Sequence, residues 1–243
     1  MTPRTLLDLG RVSNLPTVWT NVLAGAVLSR GSLEAPTLLL LCTAASLLYI
    51  GGMFLNDAFD RHFDARLRPD RPIPSGRASA GDVFGIGFAL LAGGVILVGA
   101  ASWLRGPEQG AERLGWGPLA SAGALASLIV FYDAFHKGNP MSAVVMGLCR
   151  AALYVMAAVT LGTLTREACF GALLLLLYVV GLTAVARREA REPRLRGLVG
   201  RLIAGICLLD ALLVALMGPP AFAAIAALGF PLTLAGQRYV EGT

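Results

Sequence analysis

An all-α fold, a polytopic bundle of transmembrane helices, is what this sequence predicts, and three observations predict it. The 243 residues are 56% hydrophobic and 14% charged, with a mean hydropathy of +0.70. A soluble domain carries about a quarter charged residues, so a water-soluble fold is excluded. Apolar runs long enough for helices recur along the chain, and the few cations are sorted by connection.

The runs are Leu15 to Leu28, Pro36 to Leu55, Val83 to Leu104, Leu119 to Phe131, Ala143 to Leu161, Cys169 to Ala186, Leu198 to Met217 and Ala221 to Ala235. About 20 mostly apolar residues cross roughly 30 Å of hydrocarbon, so these are eight candidate spans, the first and fourth short unless their polar flanks extend them. Asn14, Pro16 and Asn21 make the first run a retained helix rather than a cleaved signal sequence. Only Asn56 to Asp82 is a long polar connection. With no separate soluble stretch or low-complexity tail, residues 1–243 read as one membrane-embedded domain.

Of the 20 Lys and Arg, 15 fall on the side of the amino terminus, four on the other, and Arg150 lies within a run. The positive-inside rule then makes the protein integral to the membrane with both termini cytoplasmic, in a cell membrane of bacterial or archaeal type. Lys137 is the only Lys. A planar guanidinium grips phosphate or carboxylate, so the Arg preference points to anionic partners, lipid or substrate. Nucleic acid is not among them, because no basic stripe is interleaved with aromatics. Cys42, Cys149, Cys169 and Cys207 lie in apolar runs without metal-ligand spacing and read as small core residues.

The informative segment is Asn56-Asp57-Ala-Phe-Asp60-Arg61-His62-Phe-Asp64, followed by Arg66, Arg68, Asp70, Arg71, Pro72, Pro74 and Gly76. On a continuing helix, steps of 100° put Asp57, Asp60 and Asp64 within an arc of about 60°. They stand at a carboxyl-terminal helix end, where further negative charge is unfavourable unless a cation is bound. Oxygen ligands of this kind suit Mg²⁺, which takes one or two carboxylates plus substrate phosphate oxygens. The plainer alternative is a solvated helix end with Asp57 and Arg61 as an i,i+4 pair. Arg beside the carboxylates favours joint metal and phosphate binding.

Asn56-Asp57-x-x-Asp60-x-x-x-Asp64 with the trailing Arg71-Pro72 and Gly76 resembles the first aspartate-rich motif of the UbiA superfamily of intramembrane prenyltransferases. Arg11, Asn14 and Asn21 fit its polar first helix. The resemblance implies a helical bundle, usually of nine spans, around a central cavity open to lipid. It implies transfer of a prenyl group from an isoprenoid diphosphate to a lipophilic, aromatic acceptor, with Mg²⁺ on Asp57, Asp60 and Asp64. Asn56 would orient the carboxylates, and Arg61, Arg68 and Arg71 would hold diphosphate. Ionising an allylic diphosphate needs cations at one end and a dry, aromatic-lined cavity at the other, which a membrane bundle supplies.

Tyr132-Asp133-Ala-Phe-His136-Lys137-Gly138-Asn139-Pro140 resembles the family's Tyr/Lys connection, with Lys137 on diphosphate and Tyr132 near the reacting carbon. Its spacing is one residue longer than usual, and Gly138 and Pro140 also write a helix stop. Asn139 is a further substrate-binding candidate. Where the family carries a second aspartate-rich motif, this chain has Ala186-Arg187-Arg188-Glu189-Ala190-Arg191-Glu192. Glu189 and Glu192 are candidate ligands of a second metal and Arg188 a diphosphate ligand, or the segment is a basic connection with incidental Glu. Arg150 and Asp210 lie at membrane depth, where ionisable groups face a partner or a cavity, so they pair or Arg150 binds substrate. Loss of the second motif also leaves open a protein that binds or moves isoprenoid or aromatic lipid without transferring it. An ion transporter built on Asp210 and Arg150 leaves Asn56 to Gly76 unexplained.

Overall fold

The computed structural model describes residues 1–31, 33–105, 116–189, 192 and 197–242. The described residues form helices and no strand: α1 (Pro3–Gly10), a 3-10 turn at Val12–Asn14, α2 (Leu15–Leu28), α3 (Ala35–Leu67), α4 (Ala80–Arg105), α5 (Trp116–Phe135), α6 (Ser142–Leu161), α7 (Arg166–Glu189), α8 (Leu198–Met217) and α9 (Pro220–Gly236). Each apolar run is the body of one helix from α2 to α9. By length and composition, α3 to α8 are long and apolar enough to cross a membrane, α7 over Arg166–Arg188. Pro220–Gly236 is shorter, and Leu15–Leu28 has only 14 residues.

The short α2 is the centre of the bundle. It contacts α3, α6, α7, α8 and α9, and nearly all of it beyond Pro16 is buried. An evenly apolar helix has no water-facing stripe and is stable when protein surrounds it. Around it, α3 lies along α4, α5 along α6, α6 along α7 and α8 along α9. The α3–α4 pair packs tightly at Gly51 and Gly87: a Cβ on Gly51 would stand 2.9 Å from the Gly87 carbonyl oxygen. Small residues at such crossings let backbones approach without lipid-sized gaps.

The sequence did not reveal α1, whose eight residues mix Arg4 and Asp8 with Leu. Pro3 opens it and the Thr2 hydroxyl accepts from the Thr5 N–H. It stops at Arg11, whose left-handed backbone (φ 42°) donates its N–H to the Asp8 carbonyl. This unusual conformation for a non-glycine residue turns the chain into α2. At the opposite pole, Arg105 donates to the Thr160 carbonyl at 2.8 Å and Arg30 pairs with Glu167 at 3.5 Å.

Candidate functional site

The site is built at the carboxyl-terminal end of α3. The helix continues without a break past its apolar part, so Asp57, Asp60 and Asp64 share one inward face, only 4%, 8% and 4% exposed. Burying carboxylates demands partners, and two neighbouring segments supply them. Arg11 donates to Asp57 Oδ1 at 3.0 Å, and Arg71 donates to the same oxygen at 3.1 Å. The chain after α3 folds back to deliver Arg71: Ser75 N–H donates to the Arg71 carbonyl, Gly76 takes a positive φ of 75° and Ala78 N–H donates to the Pro72 carbonyl. Burial and the charge of Arg11 pull the Arg71 guanidinium down from its usual pKa, while Asp57 and Asp64 oppose them.

Asp60 is met from the turn that follows α5. Lys137 Nζ is 2.8 Å from Asp60 Oδ2, and His136 Nε2 is 3.4 Å from the same oxygen. The Tyr132 and Asp133 carbonyls, both 3.2 Å from His136 Nδ1, accept from it and fix the ring, which stacks on Tyr132 with centroids 4.9 Å apart. Lys137 also stands 4.0 Å from the centre of the Phe63 ring.

Three hollows meet these groups. A basin of about 780 Å³ is lined by Arg4, Arg11, Asp57, Arg68, Arg71 and Arg77, among others. A second, about 510 Å³, is lined by Tyr132, His136, Lys137, Asn139, Ser142 and Arg187. The third is an apolar pocket of about 90 Å³ among α2, α3, α5 and α6, with Tyr49, Tyr132, Asp133 and Arg150 among aliphatic walls. Tyr132 lines both the second basin and the apolar pocket, where a charged head and an apolar tail would meet.

The expected residues divide accordingly. Asp57, Asp60, Asp64, Arg11, Arg68, Arg71, Lys137, Tyr132 and Asn139 are brought to the basins or their buried wall. Asn139 also accepts the Met141 N–H at 2.9 Å, starting α6. Arg61 is not among the basin-lining groups: it donates to the Ala58 carbonyl at 2.8 Å and lies over Phe84, so the i,i+4 pair with Asp57 is not made. Asn14 serves packing, donating to the Gly242 carbonyl at 2.8 Å and accepting from Gln237. Arg188 is exposed and lines none of these hollows; its neighbour Arg187 does, and donates to Ser142 Oγ at 2.6 Å. Glu192 is exposed. The Glu189 side chain and Arg191 lie outside the described residues, so the expected second metal pair is not described.

Arg150 and Asp210 do not pair directly. Asn21 stands between them: its Oδ1 accepts from Arg150 Nη1 at 2.9 Å and its Nδ2 donates to Asp210 Oδ2 at 2.7 Å. Asp210 is fully buried and also accepts from Thr20 at 2.5 Å and from Tyr154. The guanidinium lies 5.6 Å from the centre of the Tyr49 ring, within the apolar pocket.

Magnesium was expected on the α3 carboxylates. By chemistry they fit it, as hard oxygen donors on one buried face. As arranged here, Asp57 and Asp60 are neutralised by Arg11, Arg71 and Lys137, and among the described residues no three His, Cys, Asp or Glu side chains are grouped to hold a metal. Sequence reasoning missed Asp133, Tyr49 and His136. Asp133 directly follows Tyr132, and its place just beyond the apolar run Leu119 to Phe131, inside the quoted polar segment, was the available signal.

Comparison with known proteins agrees with this architecture. The chain is 38% identical to a digeranylgeranylglyceryl phosphate synthase of Methanothrix thermoacetophila over 96 residues, 39% of this chain and 36% of that one. It is 33% identical to the protein of that name from Ignicoccus hospitalis over 129 residues, 53% and 37% of the two chains, and 42% identical to that from Methanopyrus kandleri over 81 residues, 31% and 28%. The chain thus spans about a third of the length of the curated relatives it matches. A solved structure, from work on digeranylgeranylglyceryl phosphate synthase in membranes, superposes with a TM-score of 0.59 over 96% of this chain and 86% of that one, at 20% identity. That likeness concerns the fold. The UbiA prenyltransferase family pattern matches residues 17–239, from the start of α2 to beyond α9. An integral membrane bundle with the α3 carboxylates and their cationic partners gathered at one pole, matched over nearly its whole length, belongs to the UbiA prenyltransferase family.

Proposed function

We propose that this protein transfers a prenyl group from an isoprenoid diphosphate to a lipophilic, aromatic acceptor inside the membrane. The observation that carries the reading is the junction at Tyr132, where a basin lined by Lys137 and Arg187 adjoins an apolar pocket. Family membership and the names of the relatives support the reaction class. Asp57, Asp60 and Asp64 are the residues that would hold Mg²⁺, whose charge would offset that of the diphosphate. Arg68, Arg71, Lys137 and Arg187 grip the diphosphate, and Arg11 orients Asp57; Asn56, expected to orient the α3 carboxylates, donates to Asp133 instead. Tyr132 and Tyr49 present ring faces to positive charge developing on the allylic carbon. Excluding water protects that carbon from hydrolysis.

The same reading includes eight or nine spans over residues 1–243 around a central cavity open to lipid, with both termini in the cytoplasm. Purified protein in liposomes, given geranyl, farnesyl or geranylgeranyl diphosphate with Mg²⁺ and phenolic or glycerol-based acceptors, is expected to yield a prenylated product by mass spectrometry. No product with any pair would count against transfer.

One observation favours a second reading. Asp57 and Asp60 are each already neutralised by cations. A protein that binds isoprenoid lipid without turning it over needs no metal, and diphosphate binding without product in the same assay would support it.

A further inference from the structure

Among the described residues Asp133 is the one carboxyl group lining the apolar pocket, and it is 3% exposed. Its Oδ1 accepts from Asn56 Nδ2 at 3.1 Å, while its Oδ2 has no hydrogen-bond partner among the described residues. A buried carboxyl oxygen left unpaired is costly and rare in native proteins, so this one, facing a pocket, calls for a partner. We infer that Asp133 Oδ2 receives the hydroxyl group of the acceptor, making the protein selective for hydroxylated lipophilic acceptors and Asp133 the base for their reaction.

When ionised, this oxygen only accepts, and it calls for a ligand that donates, O–H or N–H. Arg150 is fixed in the same pocket by Asn21, and its positive charge disfavours an ammonium, which leaves a neutral donor, of which a hydroxyl fits the acceptors of the proposed transfer. Asp133 is adjacent in sequence to Tyr132, at the junction with the cationic basin, so a hydroxyl held by it lies on the side from which a prenyl carbon would come. Asn56 holds the carboxyl group still through its other oxygen.

This inference rests on the proposed transfer. In the step it describes, the bond between the allylic carbon and the diphosphate oxygen breaks and its electron pair leaves with diphosphate. A lone pair of the acceptor hydroxyl oxygen forms the new carbon–oxygen bond, and the hydroxyl proton passes to Asp133 Oδ2. General-base assistance of this kind contributes roughly 10²–10⁴-fold.

The test uses binding first, so that its failure is separable from that of the transfer reading. Binding of 1-naphthol and of 1-methoxynaphthalene, identical but for the donated proton, is measured on the full chain in detergent by calorimetry. Wild type is expected to bind the naphthol about tenfold more tightly, as one buried hydrogen bond of about 1.4 kcal/mol requires, and Asp133→Asn to lose most of that preference. Asn at this position keeps an oxygen for Asn56. In the transfer assay Asp133→Asn is expected to lower kcat about 100-fold or more, with farnesyl diphosphate binding unchanged and the loss smaller for more acidic phenols. Equal or undetectable binding of the two probes by wild type, or an unaltered preference in Asp133→Asn, overturns the inference even if transfer occurs. Should Asp133→Asn not fold, the wild-type probe pair alone decides.

Discussion

Replacing Asp210 with Ala removes the centre of a network that ties α2, α6 and α8 together at full burial. Three donors converge on this carboxylate: Thr20 at 2.5 Å and Asn21 at 2.7 Å from α2, and Tyr154 from α6. Hydrogen bonds between membrane helices average about 0.6 kcal/mol and reach about 1.7, so losing three costs roughly 2–5 kcal/mol. At roughly 2–4 °C of melting temperature per kcal/mol for a chain of this size, the expected fall is about 4–20 °C. Thermal unfolding in mild detergent, followed by loss of the monodisperse gel-filtration peak, measures it. Tyr154→Phe removes one bond and should cost about a third as much, and Asp210→Asn, which keeps one carbonyl acceptor, should fall between. The substitution also frees Asn21, which holds Arg150 in the pocket, so activity should fall even at temperatures where the variant is folded. An Asp210→Ala protein that melts within about 2 °C of wild type would refute the reasoning, because it would mean the three donors find equal partners elsewhere.

Gly51→Ala places a methyl group 2.9 Å from the Gly87 carbonyl and 3.1 Å from Leu91 atoms, so α3 and α4 must separate; we expect a loss of about 1–3 kcal/mol from overpacking. Gly81→Ala, where a Cβ meets nothing within 4 Å, should leave the melting temperature unchanged or slightly raised. Arg71→Ala, by unpairing buried Asp57 and removing a diphosphate ligand, should raise the KM for the isoprenoid diphosphate about tenfold or more, an electrostatic loss of about 1.4 kcal/mol. Arg61→Ala, whose side chain faces Phe84, should change KM less than about threefold, under about 0.7 kcal/mol.

Much of this architecture was legible in the sequence because bilayer thickness fixes run length and helical phase fixes faces. The eight apolar runs are the bodies of α2 to α9, and the 100° step put Asp57, Asp60 and Asp64 on the one face that is buried. What could not be read was which cation meets which carboxylate. Arg11 lies 46 residues from Asp57 and Lys137 lies in the turn after α5, far along the chain from Asp60, and such pairings follow from how helices dock rather than from local spacing. Arg61 shows the same limit, since one helical turn decides between a carboxylate and Phe84. The bridging of Arg150 to Asp210 through Asn21 needs three helices at once. Asp133 escaped notice because an apolar helix does not declare which side faces a pocket and which faces lipid. α1 is too short and too mixed in polarity for a composition signal.

Release of diphosphate from farnesyl diphosphate by the purified protein in liposomes, with an acceptor and with or without Mg²⁺, tests the central claim most directly when wild type is compared with Asp57→Ala. Wild type is expected to show Mg²⁺-dependent release coupled to product formation, and the variant a loss of about 100-fold or more, about 2.7 kcal/mol or more in the barrier. Release that ignores Mg²⁺, or an Asp57→Ala protein as active as wild type, would contradict it.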